Sequence, residues 1–371
     1  MPSFAAVFGQ PSEAHESAPG RVNLLGEHTD YHEGYVLPTT IPQRTHAAVG
    51  IRADRMVRVW SEGTSRDVEQ YALGSEAPGR GWLDYLQGLT VAIRATGTDL
   101  PGFDLHLHST VPIGGGVSSS AALEISVLRA LRTRLDLPLD DVELARIGRA
   151  AETDFVGAPI GIMDQMASSL GRDGEALFLD TRTLAFERIP LPSAIDLVVI
   201  DSGVKHAHAS GEYATRRRES FEAAARLGVE HLRDVGVDAL PRLAALDPIL
   251  ARRARHVITE NQRVIDAVAA LRAADTRRFG RLMNDSHTSM RDDYEISSPE
   301  IDTLVALARE NDGVFGARLT GGGFGGSIVA IAGAGTGAAV GERTARMYTS
   351  RTGRPAAVVV PDHGVGTRPP G

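Results

Sequence analysis

The sequence predicts a protein of mixed α-helices and β-strands that is divided into two domains. The chain has 371 residues, more than one ordinary hydrophobic core accommodates. Hydrophobic residues make up 42% of the chain, which is enough to build two cores. Segments that alternate apolar and polar residues, as half-buried strands do, are interspersed with segments of helical spacing. Length, apolar content and this succession of patterns together predict the fold class.

The predicted strands and helices follow one another along the chain. Phe103–Val111 alternates apolar and polar residues, and the helical segments after it are rich in strong helix formers. Asp140 or Asp141 is suited to cap the second helix. The predicted elements are the strand Phe103–Val111, the helices Ala121–Leu135 and Asp140–Phe155, the strand Ile195–Ser202, the helix Gly211–Gly228, the strand–turn–strand segment Ala317–Gly333 and the strand Ala356–Asp362.

The boundary between the two domains is predicted near Ile189–Ile195. Two prolines in this segment separate one strand pattern from the next. We therefore expect one domain over residues 1–192 and a second over residues 193–371.

Composition excludes several classes of function. The net charge is −8 and the chain has no basic block, which argues against nucleic acid and membrane surfaces as partners. The absence of cysteine excludes disulfides, zinc–thiolate sites and thiol nucleophiles. The first residues lack the basic start and apolar core of a secretory signal, and no apolar run reaches membrane-spanning length. We expect a soluble, cytoplasmic protein that is a monomer.

The segment Gly20–Pro38, GRVNLLGEHTDYHEGYVLP, combines clustered polar residues with an apolar run. A solvated loop would hold the charges but would not need Val22, Leu24 and Leu25 beside them. Buried apolar residues next to clustered polar ones are typical of the wall of a pocket. The segment therefore predicts a binding site for a small polar molecule.

The segment Pro112–Leu123, PIGGGVSSSAAL, predicts a phosphate-binding turn. Three glycines let the backbone approach a ligand, and the serines open a helix whose first N–H groups attract anions. The P-loop motif requires a lysine, and Lys205 is the only lysine in the chain. Any bound phosphates would be held by backbone dipoles, serines and a metal ion. A tight strand–helix turn with serine caps is the alternative.

A second glycine-rich turn and three polar side chains complete the candidates. Thr320–Gly326 has five glycines, which indicates close approach to a ligand or to another backbone, or else a structural bulge. Mg²⁺ usually accompanies a nucleoside triphosphate and takes a few oxygen ligands from protein, for which Ser120 is a candidate. Glu152 is either a further ligand or a solvated residue of its helix. Asp164 lies in an apolar segment, either as a helix cap or as a catalytic base.

Six segments, taken in order, resemble motifs of the GHMP small-molecule kinases, and the first is closest to the signature of the galactokinases within that family. These segments are Gly20–Pro38, Pro112–Leu123, Gly161–Gly171, Lys205–Ser220, Ser289–Leu304 and Leu319–Ser327. The resemblance implies an α+β fold with an N-terminal domain similar to domain 2 of ribosomal protein S5 and a ferredoxin-like C-terminal domain. It implies an active site in the cleft between these two domains.

The resemblance implies an ATP-dependent kinase that phosphorylates the anomeric C1 hydroxyl of α-D-galactose. Sugar and ATP would then be its small-molecule partners, with Mg²⁺ as cofactor. Two alternatives stay open. One is another sugar 1-kinase of the same family, acting on N-acetylgalactosamine or arabinose. The other is a sensor that binds galactose and ATP without turnover.

The resemblance also implies roles for individual residues. Asp164 stands at the position of the catalytic aspartate, and Arg21 at that of the arginine beside it. The positions that correspond to sugar contacts are Glu27, His28, Asp30, Gly161 and Tyr213. Those that correspond to ATP contacts are Trp82 at the adenine and Gly114, Gly115, Gly116, Ser118, Ser119 and Ser120 at the phosphates. Ser120 and Glu152 correspond to the magnesium ligands.

The chain departs from the family pattern at two kinds of position. The family usually has asparagine where this chain has His32, which is followed by Glu33. Serines replace the usual cysteines near Arg216–Ser220 and near Ser297–Glu300. The serine changes are interpreted as packing substitutions, and His32 leaves the range of accepted sugars open.

Overall fold

The structure, a computed structural model, describes residues 2–62, 67–205 and 209–361, without the side chains of residues 205, 209 and 210. Residues 206–208, which belong to one of the six matched segments, lie outside the described residues. The strands are β1 (Ala14–Asn23), β2 (Tyr35–Val36), β3 (Pro38–Ile51), β4 (Met56–Ser61), β5 (Glu69–Ala72), β6 (Phe103–Ser109), β7 (Glu175–Asp180), β8 (Phe186–Pro190), β9 (Ile195–Lys205), β10 (Val314–Thr320), β11 (Gly325–Gly333) and β12 (Ala357–Val360).

Helices and strands are interspersed, as the sequence patterns predict. The α-helices are α1 (Phe4–Phe8), α2 (Leu83–Ala95), α3 (Ser119–Leu135), α4 (Asp141–Ala150), α5 (Met163–Leu170), α6 (Ala209–Leu227), α7 (Pro248–Arg272), α8 (Thr276–Asp292), α9 (Pro299–Arg309) and α10 (Gly337–Thr352). Three 3₁₀ segments span Asp30–His32, Leu232–Asp234 and Val237–Ala245, and a π-helical turn spans Ala151–Val156. Among the residues that the structure describes, every helix is too short or too polar to cross a lipid bilayer.

The chain folds into two compact units. Unit 1 consists of the chain up to Arg21 together with Gln43–Pro112 and Ser118–Gly171. Unit 2 consists of Val22–Pro42, Ile113–Val117 and the chain from Arg172 onward. Most of the segment Gly20–Pro38, called the signature segment below, therefore belongs to unit 2. The three glycines of the predicted phosphate-binding turn, Gly114–Gly116, belong to it too. The domain boundary at residues 192 and 193 stays a prediction.

Unit 1 contains a sheet covered on one face by helices. The C-terminal part of β3 pairs antiparallel with β6, which pairs parallel with β4, and β4 pairs antiparallel with β5. Leu105 and Leu107 of β6 are buried, whereas His106 and His108 on the opposite face are half-buried, so the alternation predicted for this strand is confirmed. The buried face packs against apolar residues of α2, α3 and α4, such as Leu128 of α3.

The second helix predicted in unit 1 changes its geometry before it ends. Asp140 caps α4 by accepting from the backbone N–H groups of Val142 and Glu143, as the sequence predicts. The helix predicted over Asp140–Phe155 is confirmed, but it is α-helical only to Ala150 and continues from Ala151 as a π-helical turn. A π-turn accommodates one extra residue per turn and is often found at functional sites. Here the turn carries Glu152.

Unit 2 contains a four-stranded antiparallel sheet in the order β10–β11–β9–β12. Its apolar side chains pack with those of α8, α9 and α10 in one core, which includes Leu304 and Tyr348. The predicted strand–turn–strand segment Ala317–Gly333 is confirmed as the hairpin β10–β11. The helix predicted over Gly211–Gly228 is confirmed as α6, which begins two residues earlier.

Four histidines of unit 2 are buried in the part of the chain that the structure describes, and three of them, His28, His32 and His256, have a strongly lowered pKa. Burial is the main cause that lowers the pKa of His28 to about 3, of His32 to about 3 and of His256 to about 4. Nearby arginines lower the pKa of each further, whereas the negative charge of Glu260 partly opposes this for His256. Unit 2 therefore folds around neutral imidazoles.

We predict that acidification destabilises the protein by charging these histidines in the unfolded chain. The unfolded state binds a proton below a pH of about 6.5 that the folded state does not bind, so stability is full above that pH and falls as the pH drops. Each histidine then costs about 2 kcal/mol at pH 5. Urea unfolding at pH 7 and pH 5 should show a smaller loss for His32→Gln than for wild type.

The control is His15→Gln, which replaces an exposed histidine of unit 1. An equal loss of stability between pH 7 and pH 5 in wild type and in His32→Gln would contradict this account.

Candidate active site

Asp164 lies in unit 1 and is held by a guanidinium fork. Arg21 donates from Nε to Oδ1 at 2.8 Å and from Nη2 to Oδ2 at 2.7 Å. The hydroxyl of Ser118 also donates to Oδ2 of Asp164. The side chain of Arg21 is 5% exposed and that of Asp164 is 27% exposed. The carboxylate is thus fixed by charge-assisted hydrogen bonds and still accessible to a substrate.

The alternative interpretation of Asp164 as a helix cap is wrong. Helix α5 begins at Met163, its N-cap position is Ile162, and no side chain caps it. Asp164 is the second residue of the helix, and its two oxygens are directed to Arg21 and Ser118. The first turn places its negative charge next to the positive end of the helix dipole.

A second polar cluster in unit 1 contains Glu124, Glu152 and Gln165. Gln165 donates from Nε2 to Oε2 of Glu124 and to Oε2 of Glu152, each at 3.0 Å. Burial raises the pKa of Glu152 to about 7, and the negative charge of Asp164 raises it further. Burial also raises the pKa of Glu124, with the charge of Glu152 as the next cause. The nearby hydroxyl of Ser120 acts in the opposite direction and lowers the pKa of Glu152.

The residues predicted to bind Mg²⁺ fit that ion. Ser120 and Glu152 lie side by side and offer the oxygen ligands that Mg²⁺ prefers. Burial and the charge of Asp164 disfavour the ionised form of Glu152, and none of its hydrogen-bond partners in the described part of the chain is cationic, so a bound cation would favour the carboxylate form. Among the described residues, no three acidic or histidine side chains are grouped to hold a metal alone. Mg²⁺ would therefore need phosphate oxygens of a nucleotide as further ligands.

Glu27 lies in unit 2 with both carboxylate oxygens bonded. Oε2 accepts from Nδ2 of Asn23 at 2.8 Å, and Oε1 accepts from the backbone N–H of Gly321 at 2.8 Å. Nη2 of the fully buried Arg318 lies 3.3 Å from Oε1. Glu27 therefore fixes the signature segment to the second glycine-rich turn.

His28 has a defined tautomer. Its Nε2 lies 3.1 Å from the carbonyl oxygen of Gly322, which can only accept, so Nε2 carries the proton. Nδ1 then accepts from the hydroxyl of Tyr31 at 2.8 Å, and Tyr31 accepts in turn from Tyr294 at 2.7 Å. The ring of Tyr213 lies 4.8 Å from that of His28, centroid to centroid. The structure thus brings His28 and Tyr213 together.

Asp30 and Gly161 are the remaining residues predicted to contact the sugar. Asp30 begins a 3₁₀ turn of unit 2, is partly exposed, and accepts from the backbone N–H of Tyr31 through its side chain at 3.0 Å. Gly161 belongs to unit 1, is buried, and lies three residues before Asp164.

The two glycine-rich turns contact each other in unit 2, although they are about 200 residues apart in sequence. Oγ of Ser327 donates to the carbonyl oxygen of Gly115 at 2.6 Å. A Cβ atom on Gly321 would lie 2.9 Å from the carbonyl oxygen of Gly116. Gly114 and Gly116 have φ angles of 75° and 74°, which favour glycine. Close approach to another backbone, one of the predicted explanations for the second turn, is confirmed.

The serines and Trp82 lie in unit 1. Ser119 and Ser120 are the first two residues of the 17-residue helix α3, whose unpaired N–H groups make an anion-binding terminus. Ser118, just before it, has a left-handed backbone with φ 58°. Trp82 is half-buried and precedes α2.

His32 and Glu33 are engaged inside unit 2. The fully buried His32 donates from Nε2 to Oγ of Ser220 at 2.8 Å, because Ser220 itself donates to the carbonyl oxygen of Arg217. Its ring packs on Phe221 with centroids 4.3 Å apart. Glu33 forms an ion pair with Arg182 at 2.6 Å.

Sequence reasoning missed Glu124 and Gln165, which line the site next to predicted residues. Gln165 follows Asp164 directly, and Glu124 lies four residues after Ser120, on the same face of α3. Glu124 is a charged residue within the apolar pattern of its helix, and this feature of the sequence could have identified it as a functional residue.

Family models match three parts of the chain. Residues 2–51 match the galactokinase galactose-binding signature, residues 84–172 the GHMP kinases N terminal domain and residues 267–349 the GHMP kinases C terminal domain. A galactokinase of Streptomyces coelicolor is 44% identical over 336 residues, which cover 88% of this chain and 87% of the relative.

Solved structures agree with this assignment. Lactococcus lactis galactokinase complexed with galactose is 34% identical, with a TM-score of 0.90 over 96% of this chain and 95% of the other. Methanococcus jannaschii mevalonate kinase is 17% identical, with a TM-score of 0.68 over 93% and 96%, and shares the fold. The predicted two-domain GHMP kinase fold is thus confirmed. With both GHMP domains, the galactose-binding signature and 44% identity to a galactokinase, the chain belongs to the galactokinase family of GHMP kinases.

Proposed function

We propose that this chain transfers the γ-phosphoryl group of ATP to the C1 hydroxyl of α-D-galactose, giving galactose 1-phosphate and ADP. The observation that carries the proposal is the guanidinium fork from Arg21 to Asp164, at 2.8 and 2.7 Å. This pair of hydrogen bonds fixes the carboxylate of Asp164, which stays accessible to a substrate. Residues 2–51 of the same chain match a galactose-binding signature.

Asp164 acts on the attacking hydroxyl. It accepts the proton of the C1 hydroxyl while that oxygen bonds to the γ-phosphorus and the bond from this phosphorus to the ADP oxygen breaks. Arg21 holds the carboxylate of Asp164 in place through two hydrogen bonds and offsets charge on the transferred group. Phosphoryl transfer depends mainly on alignment and charge stabilisation, which the fixed fork supplies.

Ser120 and Glu152 hold Mg²⁺, which when bound offsets the negative charge of the β- and γ-phosphates. The backbone N–H groups of Gly114–Gly116 and the serines Ser118, Ser119 and Ser120 bind the phosphates. The side chain of Trp82 packs against the adenine. Support comes from the N-terminus of α3 and from the lack of a cationic hydrogen-bond partner of Glu152 among the described residues.

The sugar contacts are made by Glu27, His28, Asp30, Gly161 and Tyr213. The fixed carboxylate of Glu27 keeps lone pairs that can accept from sugar hydroxyls, and the neutral ring of His28 packs next to the ring of Tyr213. A wrong epimer leaves a buried polar group without its partner, which costs about 1–3 kcal/mol per group. Such a site discriminates galactose from its C4 epimer glucose.

We assign the sugar and the phosphates to a domain of residues 1–192 and the GHMP C-terminal domain to residues 193–371. The chain acts as a cytoplasmic monomer. The net charge of −8 and the lack of cysteine support this assignment.

The sugar range and the role of Asp164 are tested together. We expect ADP release with Mg-ATP to be strong on galactose and at least 100-fold weaker on glucose, because mispaired hydroxyls destabilise the transition state. Asp164→Asn should lower kcat by about 10²- to 10⁴-fold, the usual contribution of a positioned base. A panel with the 2-deoxy and 2-acetamido forms of galactose, arabinose and talose identifies the preferred sugar.

The control is Asp154→Asn, at an exposed aspartate of the same unit, which should retain wild-type turnover. No turnover on any sugar, while galactose and ATP still raise the melting temperature, would contradict the kinase and favour a sensor. Preference for 2-acetamido-galactose or arabinose would favour another sugar 1-kinase.

Arg21→Lys should lower kcat by about 10- to 100-fold, because lysine cannot make both parallel hydrogen bonds to Asp164. The KM for galactose and the melting temperature should change little. The matched control is Arg55→Lys, which alters an exposed bidentate pair with Asp99 in the same unit. Wild-type kcat in Arg21→Lys would show that the fork is not needed for catalysis.

His32→Gln should leave the ratio of kcat/KM for galactose to that for its 2-acetamido form within about twofold of wild type. The side chain of His32 contacts Ser220 and Phe221 in the interior of unit 2, so it does not set the sugar range. The measurement compares the two sugars at saturating Mg-ATP. A tenfold change in the ratio would assign His32 to the sugar site.

A further inference from the structure

One side-chain amide in unit 1 serves two buried carboxylates. Gln165 and Glu124 are fully buried, and Glu152 is 7% exposed. Nε2 of Gln165 lies 3.0 Å from Oε2 of Glu124 and 3.0 Å from Oε2 of Glu152. An amide nitrogen has two protons, so each carboxylate receives one.

This amide connects three separate elements. Glu124 lies on α3, Glu152 on the π-helical turn and Gln165 on the first turn of α5, next to Asp164. The oxygen Oε1 of Gln165 has no hydrogen-bond partner among the described residues. Gln165 is therefore oriented by its two donor bonds alone, and those bonds fix the relative positions of the two carboxylates.

The local backbone leaves room for this arrangement. A Cβ atom on Gly148 of α4 would lie 3.1 Å from Cγ of Gln165 and 3.1 Å from Oε2 of Glu124. Both distances are shorter than ordinary van der Waals contact, so a larger residue would displace the amide or the carboxylate. The absence of a side chain at Gly148 therefore helps to keep Gln165 and Glu124 in hydrogen-bonding positions.

The amide prevents two carboxylates from facing each other without a donor between them. Without this donor, the Glu152 side chain would lose the hydrogen bond that fixes its orientation. Hydrogen-bond partners of metal ligands commonly set the orientation of those ligands and hence metal affinity.

We propose that Gln165 and Glu124 are positioning residues that hold the carboxylate of Glu152 in the orientation that binds the Mg²⁺ of the nucleotide complex. This inference rests on the proposed role of Glu152. Gln165 donates to Glu152 directly, and Glu124 acts by holding the second proton of the same amide.

The test replaces the donor and then its second acceptor. Gln165→Met keeps the length of the side chain without the donor, and Glu124→Leu removes the acceptor. Each should raise the Mg²⁺ concentration for half-maximal velocity by about 10- to 100-fold, with KM for galactose within about twofold. The affinity of the protein for Mn²⁺ in the presence of ADP, measured from the spectroscopic signal of free Mn²⁺, should weaken by the same factor.

Two variants separate positioning from stability. Glu124→Gln retains an acceptor oxygen and should keep Mn²⁺ affinity within about threefold of wild type. Ser168→Ala, on the same helix, removes a buried hydrogen bond to the carbonyl oxygen of Pro19. It should lower the melting temperature without changing Mn²⁺ affinity.

The outcomes distinguish this inference from the proposed function. If Glu152→Gln weakens Mn²⁺–ADP binding but folded Gln165→Met does not, the positioning role is overturned and the metal assignment stands. If Glu152→Gln itself has no effect, both are overturned. An equal loss of affinity in Ser168→Ala would also overturn the positioning role. If Gln165→Met does not fold, the comparison of Glu124→Leu with Glu124→Gln decides.

Discussion

The pairing of buried charge is the constraint on which unit 2 depends. Arg318 is fully buried, and its guanidinium donates to the carbonyl oxygen of Leu24 at 2.8 Å while lying 3.3 Å from Glu27 and 3.6 Å from Glu260. An uncompensated charge at such a position would cost several kcal/mol. The signature segment therefore keeps its conformation because it supplies the partners that this guanidinium requires.

The same type of side chain behaves in opposite ways in the two units. Glu260 in unit 2 is fully buried, yet the ion pairs with Arg263 and Arg318 outweigh burial and lower its pKa. Glu152 in unit 1 is also buried, and no arginine is among its hydrogen-bond partners in the part of the chain that the structure describes. Burial and the charge of the nearby Asp164 therefore raise its pKa. Glu260 is thus paired with arginines by the fold, whereas the ionised form of Glu152 has no cationic hydrogen-bond partner among the described residues and would gain one from a bound metal ion. This difference separates a carboxylate that stabilises structure from one suited to hold a metal.

The departures of this chain from the family pattern are explained by packing. His32 donates to Ser220, and the ring of His32 packs on Phe221, so the two unusual residues contact each other in the interior of unit 2. A serine oxygen is a stronger acceptor than a cysteine sulfur, which suits the histidine donor. Two changes that are 188 residues apart in sequence therefore form a single packing arrangement.

The sequence alone determined the succession of strands and helices, the two glycine-rich turns and the family, because hydrophobic period, glycine content and ordered motifs are local properties of the chain. It did not determine the π-helical turn at Glu152, the tautomer of His28 or the roles of Glu124 and Gln165. Each of these depends on partners brought together only by folding: Gln165 is 41 residues from Glu124, and His28 is 294 residues from Gly322. Sequence pattern records whether a position is apolar or polar, whereas the charge state and orientation of a buried polar group are set by the atoms that surround it in the tertiary structure.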